Sequence, residues 1–229
     1  MNALPSEETT PLIAARHMLA DQVFDAILAL LLDDKISTGS QLNIDGLAKK
    51  FQVSSTPVRE ALARLESTGM VRREALRGYR VAPEPSATDV EKINEARTML
   101  EPGLAALACE NQSAALVSEL EACNTALNLA RGGESFVDYR AYLKMDEQFH
   151  RKIAEAADNE FLLRAYSAIE GHIQRFRLVV QKSMSGESTI TEHDRIIEAI
   201  KLNDSSAARI AMEEHISGIA QRAAQNYSQ

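Results

Sequence analysis

The stretch Asn43–Leu65, NIDGLAKKFQVSSTPVREALARL, decides the fold of the first third of the chain, together with STGMVRREALRGYRVAP over residues 67–83. Leu42, Ile44, Leu47 and Ala48 are apolar at spacings that line one face of a helix. Val53 follows a turn and is placed to plug the gap between two helices. Ser54, Ser55 and Thr56 are candidate N-caps, and Pro57 suits a first helical turn. Val58, Ala61, Leu62 and Leu65 form the buried stripe of the second helix, and Gly69 stops it. Val71 and Val81 then flank a turn at Gly78, which predicts a two-stranded wing. The expectation is a winged helix-turn-helix.

Such a pair of helices places the N-terminal part of the second helix against base edges in the major groove, while the first crosses the phosphate backbone. Ser54, Ser55, Thr56, Arg59, Arg64, Arg72 and Gly78 are the candidate DNA-contacting positions. An arginine fork can pair with guanine, and hydroxyls suit phosphates or bases. The alternative is an ordinary helix pair with solvated charges, and the charge map argues against it. Residues 38–82 hold eight Lys or Arg against four Asp or Glu, a local balance of +4 in a chain whose total is −8. A basic surface on an acidic chain is the electrostatic footprint of a DNA-binding module.

The run SSTPVREALARLESTGMV resembles the signature of the GntR family, and the resemblance covers roughly residues 20 to 82. It implies that Arg59 and Arg64 are the main DNA-contacting arginines and that Gly78 is the tip of the wing. Two departures matter. Ser55 stands where the family often has Arg before Thr-Pro, and Asp45-Gly46 where it often has Glu or Arg. The operator sequence therefore does not follow from a relative.

With 229 residues the chain is long enough for two domains. Its 45% apolar and 25% charged content is that of an ordinary globular protein. No run of about eighteen apolar residues occurs, so no membrane span is expected. The N-terminal MNALPSEETTPLIAARHM lacks the charged-then-apolar layout of a secretory leader, so the expected location is the cytoplasm. Cys109 and Cys123 sit in helical patterns without CxxC spacing and are read as buried free thiols. Few aromatics, sparse Gly and Pro, and long stretches of 3.6-residue period predict a mainly α fold with a small β-wing.

The expected layout is a disordered tail over 1–15, the DNA-binding domain over 16–82, a linker over 83–87 and a helical domain over 88–226. Pro83-Glu84-Pro85-Ser86 disfavours helix and marks the linker. Beyond it the periodicity predicts an antiparallel bundle of six helices, approximately 87–110, 113–131, 135–157, 159–182, 188–202 and 204–226. The breaks fall at Asn111-Gln112-Ser113, Arg131-Gly132-Gly133, Asp158-Asn159, Ser185-Gly186 and Asn203-Asp204-Ser205.

Four polar residues of this bundle sit where apolar ones belong. Asp146 and His150 share a helix face with Tyr142, Phe149 and Ile153, one turn apart. His193 joins Ile190, Ile197 and Ile200, and His215 joins Met212, Ile216 and Ile219. Burying a carboxylate and three imidazoles is costly unless they are paired or bind a metal. Three nitrogens and a carboxylate oxygen suit zinc, nickel or another divalent transition ion. The alternatives are an Asp146–His150 hydrogen-bonded pair and satisfied core histidines. His17 is read as a surface or packing residue, and His172 as pocket lining or core.

The segments INEARTMLEPGLAALA, DEQFHRKIAEAADNEFL, TEHDRIIEAI and AMEEHI resemble the FCD effector-binding domain of the FadR subfamily, over nearly all of residues 88–222. The resemblance implies a metal on Asp146, His150, His193 and His215, with zinc or nickel favoured and manganese an option. It also implies that Arg97 holds a ligand carboxylate, with a surface salt bridge to Glu101 as the alternative, and that Asn159 and Arg175 are further pocket residues. The function implied is a homodimeric, ligand-responsive transcription regulator on a pseudo-palindromic double-stranded operator, a repressor released by a small organic acid. A metal-dependent enzyme fused to a DNA-binding domain, and an architectural DNA binder without effector, are the competing readings.

Overall fold

The computed structural model describes residues 10–32, 35–75, 77–130, 136–180 and 187–227. The chain divides into two compact units, Met1–Glu84 and Pro85–Gln229.

The first unit contains α1 (Thr10–Leu32), β1 (Gln41–Leu42), α2 (Ile44–Phe51), α3 (Ser55–Ser67), β2 (Val71–Glu74) and β3 (Gly78–Val81). Helix α1 begins inside the stretch read as a tail; the expectation for residues 1–9 lies outside the described residues. Asn43 caps α2, its side chain accepting a hydrogen bond from the Gly46 amide at 3.0 Å. Gln52 ends α2 in the left-handed region at φ 56°, with no Gly or Asn to announce it. Ser54 occupies the N-cap position of α3, but its side chain makes no capping hydrogen bond. Gly69, at φ 70°, closes α3, and the Met70 amide bonds back to the Leu65 carbonyl. Val58, Ala61, Leu62 and Leu65 are buried with Ile27 and Leu28 of α1 in this unit's core. The sheet is antiparallel in the order β1-β3-β2, with Val71 opposite Val81 and Leu42 opposite Tyr79. The wing pair is as expected. The two-residue β1 has too little length for any periodicity to reveal it.

The second unit is a bundle of α4 (Ala87–Glu110), α5 (Ala114–Ala130), α6 (Phe136–Ala156), α7 (Glu160–Val180), α8 (Glu187–Lys201) and α9 (Ser205–Tyr227). Ser86 and Asp89 start α4 with a reciprocal capping box. Asp158 and Asn203 take left-handed conformations at the breaks before α7 and α9, at φ 49° and 55°. The breaks expected at Arg131-Gly132-Gly133 and Ser185-Gly186 lie outside the described residues. Helix α4 packs against α6, α7, α8 and α9, and α5 against α6 and α8. Leu104, Ala108, Leu120, Phe149, Ile153, Tyr166, Ile173, Ile196, Ile200, Met212 and Ile216 fill the core. Cys109 and Cys123 are buried free thiols, as expected. Among the described residues no helix is long and apolar enough to cross a membrane.

Candidate functional site

In the first unit, α3 presents Thr56 and Arg59 to solvent, with Ser54 exposed just before it and Ser55 half-buried. Arg59 makes no ion pair among the described residues, and the same holds for Lys49, Lys50, Arg73 and Arg77. Arg64 differs. Its guanidinium is hydrogen-bonded to Asp21 and lies over the Phe24 ring, 4.5 Å from the centroid, so α1 orients it. Arg72 on β2 is exposed and 3.5 Å from Glu74. Arg80 is held by Glu74 at 3.0 Å and by the Gly39 carbonyl. Gly78, at φ +82°, lets the wing turn, and nothing stands near the place of its missing side chain.

In the second unit the bundle brings Asp146 and His150 of α6, His193 of α8 and His215 of α9 together, each at most 2% exposed. The inward faces follow the expected stripes: Phe149 and Ile153 beside His150, Ile197 and Ile200 beside His193, Met212 and Ile216 beside His215. His150 and His215 meet through their Nε2 atoms at 3.2 Å. His193 Nε2 lies 3.5 Å from Asp146 Oδ1, and His150 Nε2 lies 4.0 Å from the same oxygen. Phe149 stacks on His193 with ring centroids 3.8 Å apart and fixes its plane. One nitrogen from each of the three histidines lies within 4.8 Å of the others.

Two glutamates back this cluster. His150 Nδ1 is 2.6 Å from Glu101 Oε2, and Arg97 Nε donates to Glu101 Oε1 at 2.6 Å. His215 Nδ1 is 2.8 Å from Glu192 Oε2, and Arg222 donates to both Glu192 oxygens at 2.7 and 2.9 Å. Burial pushes the Glu101 carboxyl up, but the Arg97 charge and His150 outweigh it and hold the group well below the usual carboxylate range. Burial also raises Glu192, and hydrogen bonds from His215 and Arg222 turn the shift downward. Both stay ionised.

The cluster fits a divalent transition ion. His215 Nδ1 is hydrogen-bonded to Glu192 at 2.8 Å and His150 Nδ1 lies 2.6 Å from Glu101, an arrangement that favours the proton on each Nδ1 and turns the Nε2 lone pairs of His150 and His215 toward one another. Two lone pairs at 3.2 Å repel unless something positive lies between them. Two nitrogens bound to one tetrahedral zinc at about 2.05 Å stand about 3.3 Å apart.

The remaining expectations fare differently. Arg97 does pair with Glu101, but the pair is fully buried rather than on the surface, and Arg97 Nη1 has no hydrogen-bond partner among the described residues. Asn159 is exposed, and its side chain caps α7 by accepting from the Phe161 and Leu162 amides at 3.1 and 3.2 Å. Arg175 is half-buried on α7, and its charge adds to the hydrogen bonds from Ser86 that lower Asp89. His172 is exposed, which overturns its reading as a core residue. The reading of His17 lies outside the described side chains. Glu192 escaped the sequence reading, and Glu101 entered it only as the alternative partner of Arg97. Glu101 carries a legible signal, since it lies on the same stripe of α4 as Arg97, Leu104 and Ala108. Glu192 stands at the start of the α8 stripe of Ile196 and Ala199, after the polar Thr189, where a carboxylate draws little notice.

Comparison with known proteins agrees with this architecture. Residues 92–218 match the FCD domain, and residues 19–81 match the bacterial regulatory proteins of the gntR family. The chain belongs to the FCD-domain family and is a DNA-binding regulator of the GntR type, a role that is not catalytic. It is 26% identical over 202 residues to a probable D-xylose utilization operon transcriptional repressor of Paenarthrobacter nicotinovorans, spanning 88% of this chain and 87% of that one. It is 28% identical over 211 residues to the HTH-type transcriptional regulator LutR of Bacillus subtilis, spanning 83% and 94%. The solved structure of E. coli McbR/YncC superposes with a TM-score of 0.71 at 22% identity, covering 91% of this chain and 98% of that one, a likeness of fold.

Proposed function

We propose that this chain is a homodimeric, ligand-responsive repressor of the FadR subfamily, working in the cytoplasm. It binds a pseudo-palindromic operator and leaves it when a small carboxylic acid enters the metal-containing bundle. In this reading Arg59 reads a base edge and Ser54, Ser55 and Thr56 take phosphate or base contacts. Arg64 is braced by Asp21 for a phosphate, and Arg72 and the Gly78 wing meet the backbone. Asp146, His150, His193 and His215 hold a divalent ion, zinc or nickel first and manganese next. The repressor sign takes support from the printed name of the Paenarthrobacter nicotinovorans relative.

The observation that carries the ligand reading is the convergence of three buried imidazoles beside a buried arginine with an unpartnered nitrogen. The charge balance gives the class of effector. Glu101 is offset by Arg97 and Glu192 by Arg222, so a divalent ion with Asp146 leaves one positive charge inside the bundle. A buried net charge is costly. A single carboxylate closes the balance, one oxygen toward the ion and the other toward Arg97, whose planar fork suits it. The acid must bind the operator-competent and operator-incompetent arrangements with different affinity, because equal affinity shifts nothing.

The test is elemental analysis of untagged protein beside Asp146→Ala. The expected result is near one transition metal per chain, much reduced in the variant. Absence of metal in both, after incubation with zinc, nickel or manganese, removes the ion from the reading and reopens the effector class.

A further inference from the structure

Each of two ligand histidines is backed by its own arginine-held glutamate, one on α4 and one on α8. Arg97–Glu101–His150 is buried throughout, with every side chain at most 2% exposed. Arg222–Glu192–His215 is its counterpart, with Arg222 25% and Glu192 16% exposed. In both, an oxygen of the glutamate faces Nδ1 at 2.6 or 2.8 Å, and the arginine holds the other oxygen at 2.6 or 2.7 Å. The second set also lies against a glycine. A Cβ at Gly218 on α9 would stand 2.9 Å from Arg222 Nη1 and 3.0 Å from Glu192 Oε1, so the tips of these two side chains would have to shift to admit it. Glycine costs roughly 1 kcal/mol against alanine inside a helix. Here it leaves the slot in which Arg222 grips Glu192.

We propose that Glu101 and Glu192 are positioning residues of the metal centre, and that Gly218 makes room for the second of them. Each glutamate holds its histidine as the Nδ1–H tautomer, aims Nε2 inward and raises the basicity of that nitrogen. The arginines keep the carboxylates ionised and fixed in rotation. The ion thus meets two buried imidazoles already turned toward it. This rests on the metal reading above, but it concerns residues that do not ligate.

The decisive variants are Glu192→Gln and Gly218→Ala in the untagged full chain. Glutamine keeps the shape and removes the charge. Alanine leaves every ligand and every charge in place, favours the helix and displaces the Arg222–Glu192 grip. Zinc affinity is measured by competition with a chromophoric chelator, and the melting temperature is taken on the metal-free protein. Glu192→Gln is expected to bind zinc about 10- to 100-fold more weakly, a loss larger than the small drop in metal-free melting temperature that follows from removing the half-buried pair with Arg222, and Gly218→Ala is expected to bind several-fold more weakly with an unchanged or raised metal-free melting temperature. Glu101→Gln should show the same loss, but it strands the buried Arg97, so it is read only if its metal-free melting temperature holds. Nitrogen-15 imidazole spectra of the metal-free chain give a second readout: His215 is Nδ1-protonated in the natural sequence and a mixture of tautomers in Glu192→Gln.

Natural zinc affinity in both decisive variants overturns the proposal, as does a loss of affinity that only follows a loss of metal-free stability. A loss in Glu192→Gln alone keeps the glutamate and removes Gly218 from the role. If the natural chain takes up no zinc, the metal reading falls. A role at a metal centre falls with it, whereas a mixture of tautomers at His215 in a natural chain that does take up zinc overturns the positioning role alone.

Discussion

His150 and His215 approach through their Nε2 atoms at 3.2 Å while each turns its Nδ1 to a different glutamate, Glu101 on α4 and Glu192 on α8. With the proton on each Nδ1, two lone pairs at that distance repel, and an ion between them reverses the sign. Zinc should therefore raise the melting temperature. The gain is about 2.7 kcal/mol at free metal a hundredfold above the dissociation constant. Asp146→Asn, which keeps the shape and removes one ligand charge, should lose most of that gain with little change in the metal-free melting temperature. Calorimetric scans with and without zinc check it. An equal gain in natural and variant chains places the ion elsewhere.

Arg59 and Arg64 share a helix but not a situation. Arg59 is free of ion pairs among the described residues, whereas Arg64 is tied to Asp21 and Phe24. Arg59→Ala should cost about 1–3 kcal/mol of operator affinity and relax the preference at one base position. Arg73→Ala on the wing should weaken operator and unrelated DNA alike and lower the salt slope by about one. Fluorescence anisotropy against salt concentration separates the two patterns. A uniform loss in Arg59→Ala would make it a phosphate contact.

Arg64→Ala should instead affect stability as well as DNA. The ion pair is half-exposed and worth little, and the stacking over Phe24 adds about 0.5–1 kcal/mol. Urea titration should show that loss in Arg64→Ala and a smaller one in Asp21→Asn. If stability is untouched while operator binding falls, Arg64 acts on DNA alone.

The first unit was legible almost entirely because its motif is local. Asn43, Gly69 and the apolar stripe of α3 each act within a few residues. Its one hidden strand, Gln41–Leu42, exists through pairing with Tyr79 and Arg80, a contact made across the chain. In the bundle, inward polar residues betrayed themselves by breaking apolar stripes, which found Asp146, His150, His193 and His215. Glu192 stayed hidden because its importance comes from His215 and Arg222 on another helix, and its place at the start of the Ile196–Ala199 stripe does not name those partners. Asn159 is ambiguous for another reason. A polar residue at a break suits a pocket or a helix cap, and only the Phe161 and Leu162 amides decide between them.

Acid should dismantle the cluster. Glu101 and Glu192 titrate below their ordinary value in the folded chain. A group depressed on folding stabilises above its unfolded value of about 4.3, and the contribution disappears as pH falls through the folded value. Stability should therefore drop below roughly pH 4.5, and the drop should be shallower in Glu192→Gln, which has one fewer such group. Urea midpoints across that range measure it. Parallel curves for the two chains would mean that Glu192 is not ionised by its partners.

Arg97 and Glu101 test how much the buried ion pair contributes in its own right. Removing one member of a buried pair strands the other and costs about 3–5 kcal/mol, whereas replacing both by apolar groups of similar volume is often nearly neutral. Arg97→Met should therefore be strongly destabilising, because Glu101 keeps only His150 as a partner. Adding Glu101→Met should recover much of that stability but not the response to a carboxylic acid, since the guanidinium that would receive the acid is gone. Stability from urea unfolding and operator release by added acid are then read on the same three chains. Recovery of both in the double variant would show that Arg97 serves packing alone, and the ligand carboxylate would have to be sought on the metal and the imidazoles instead.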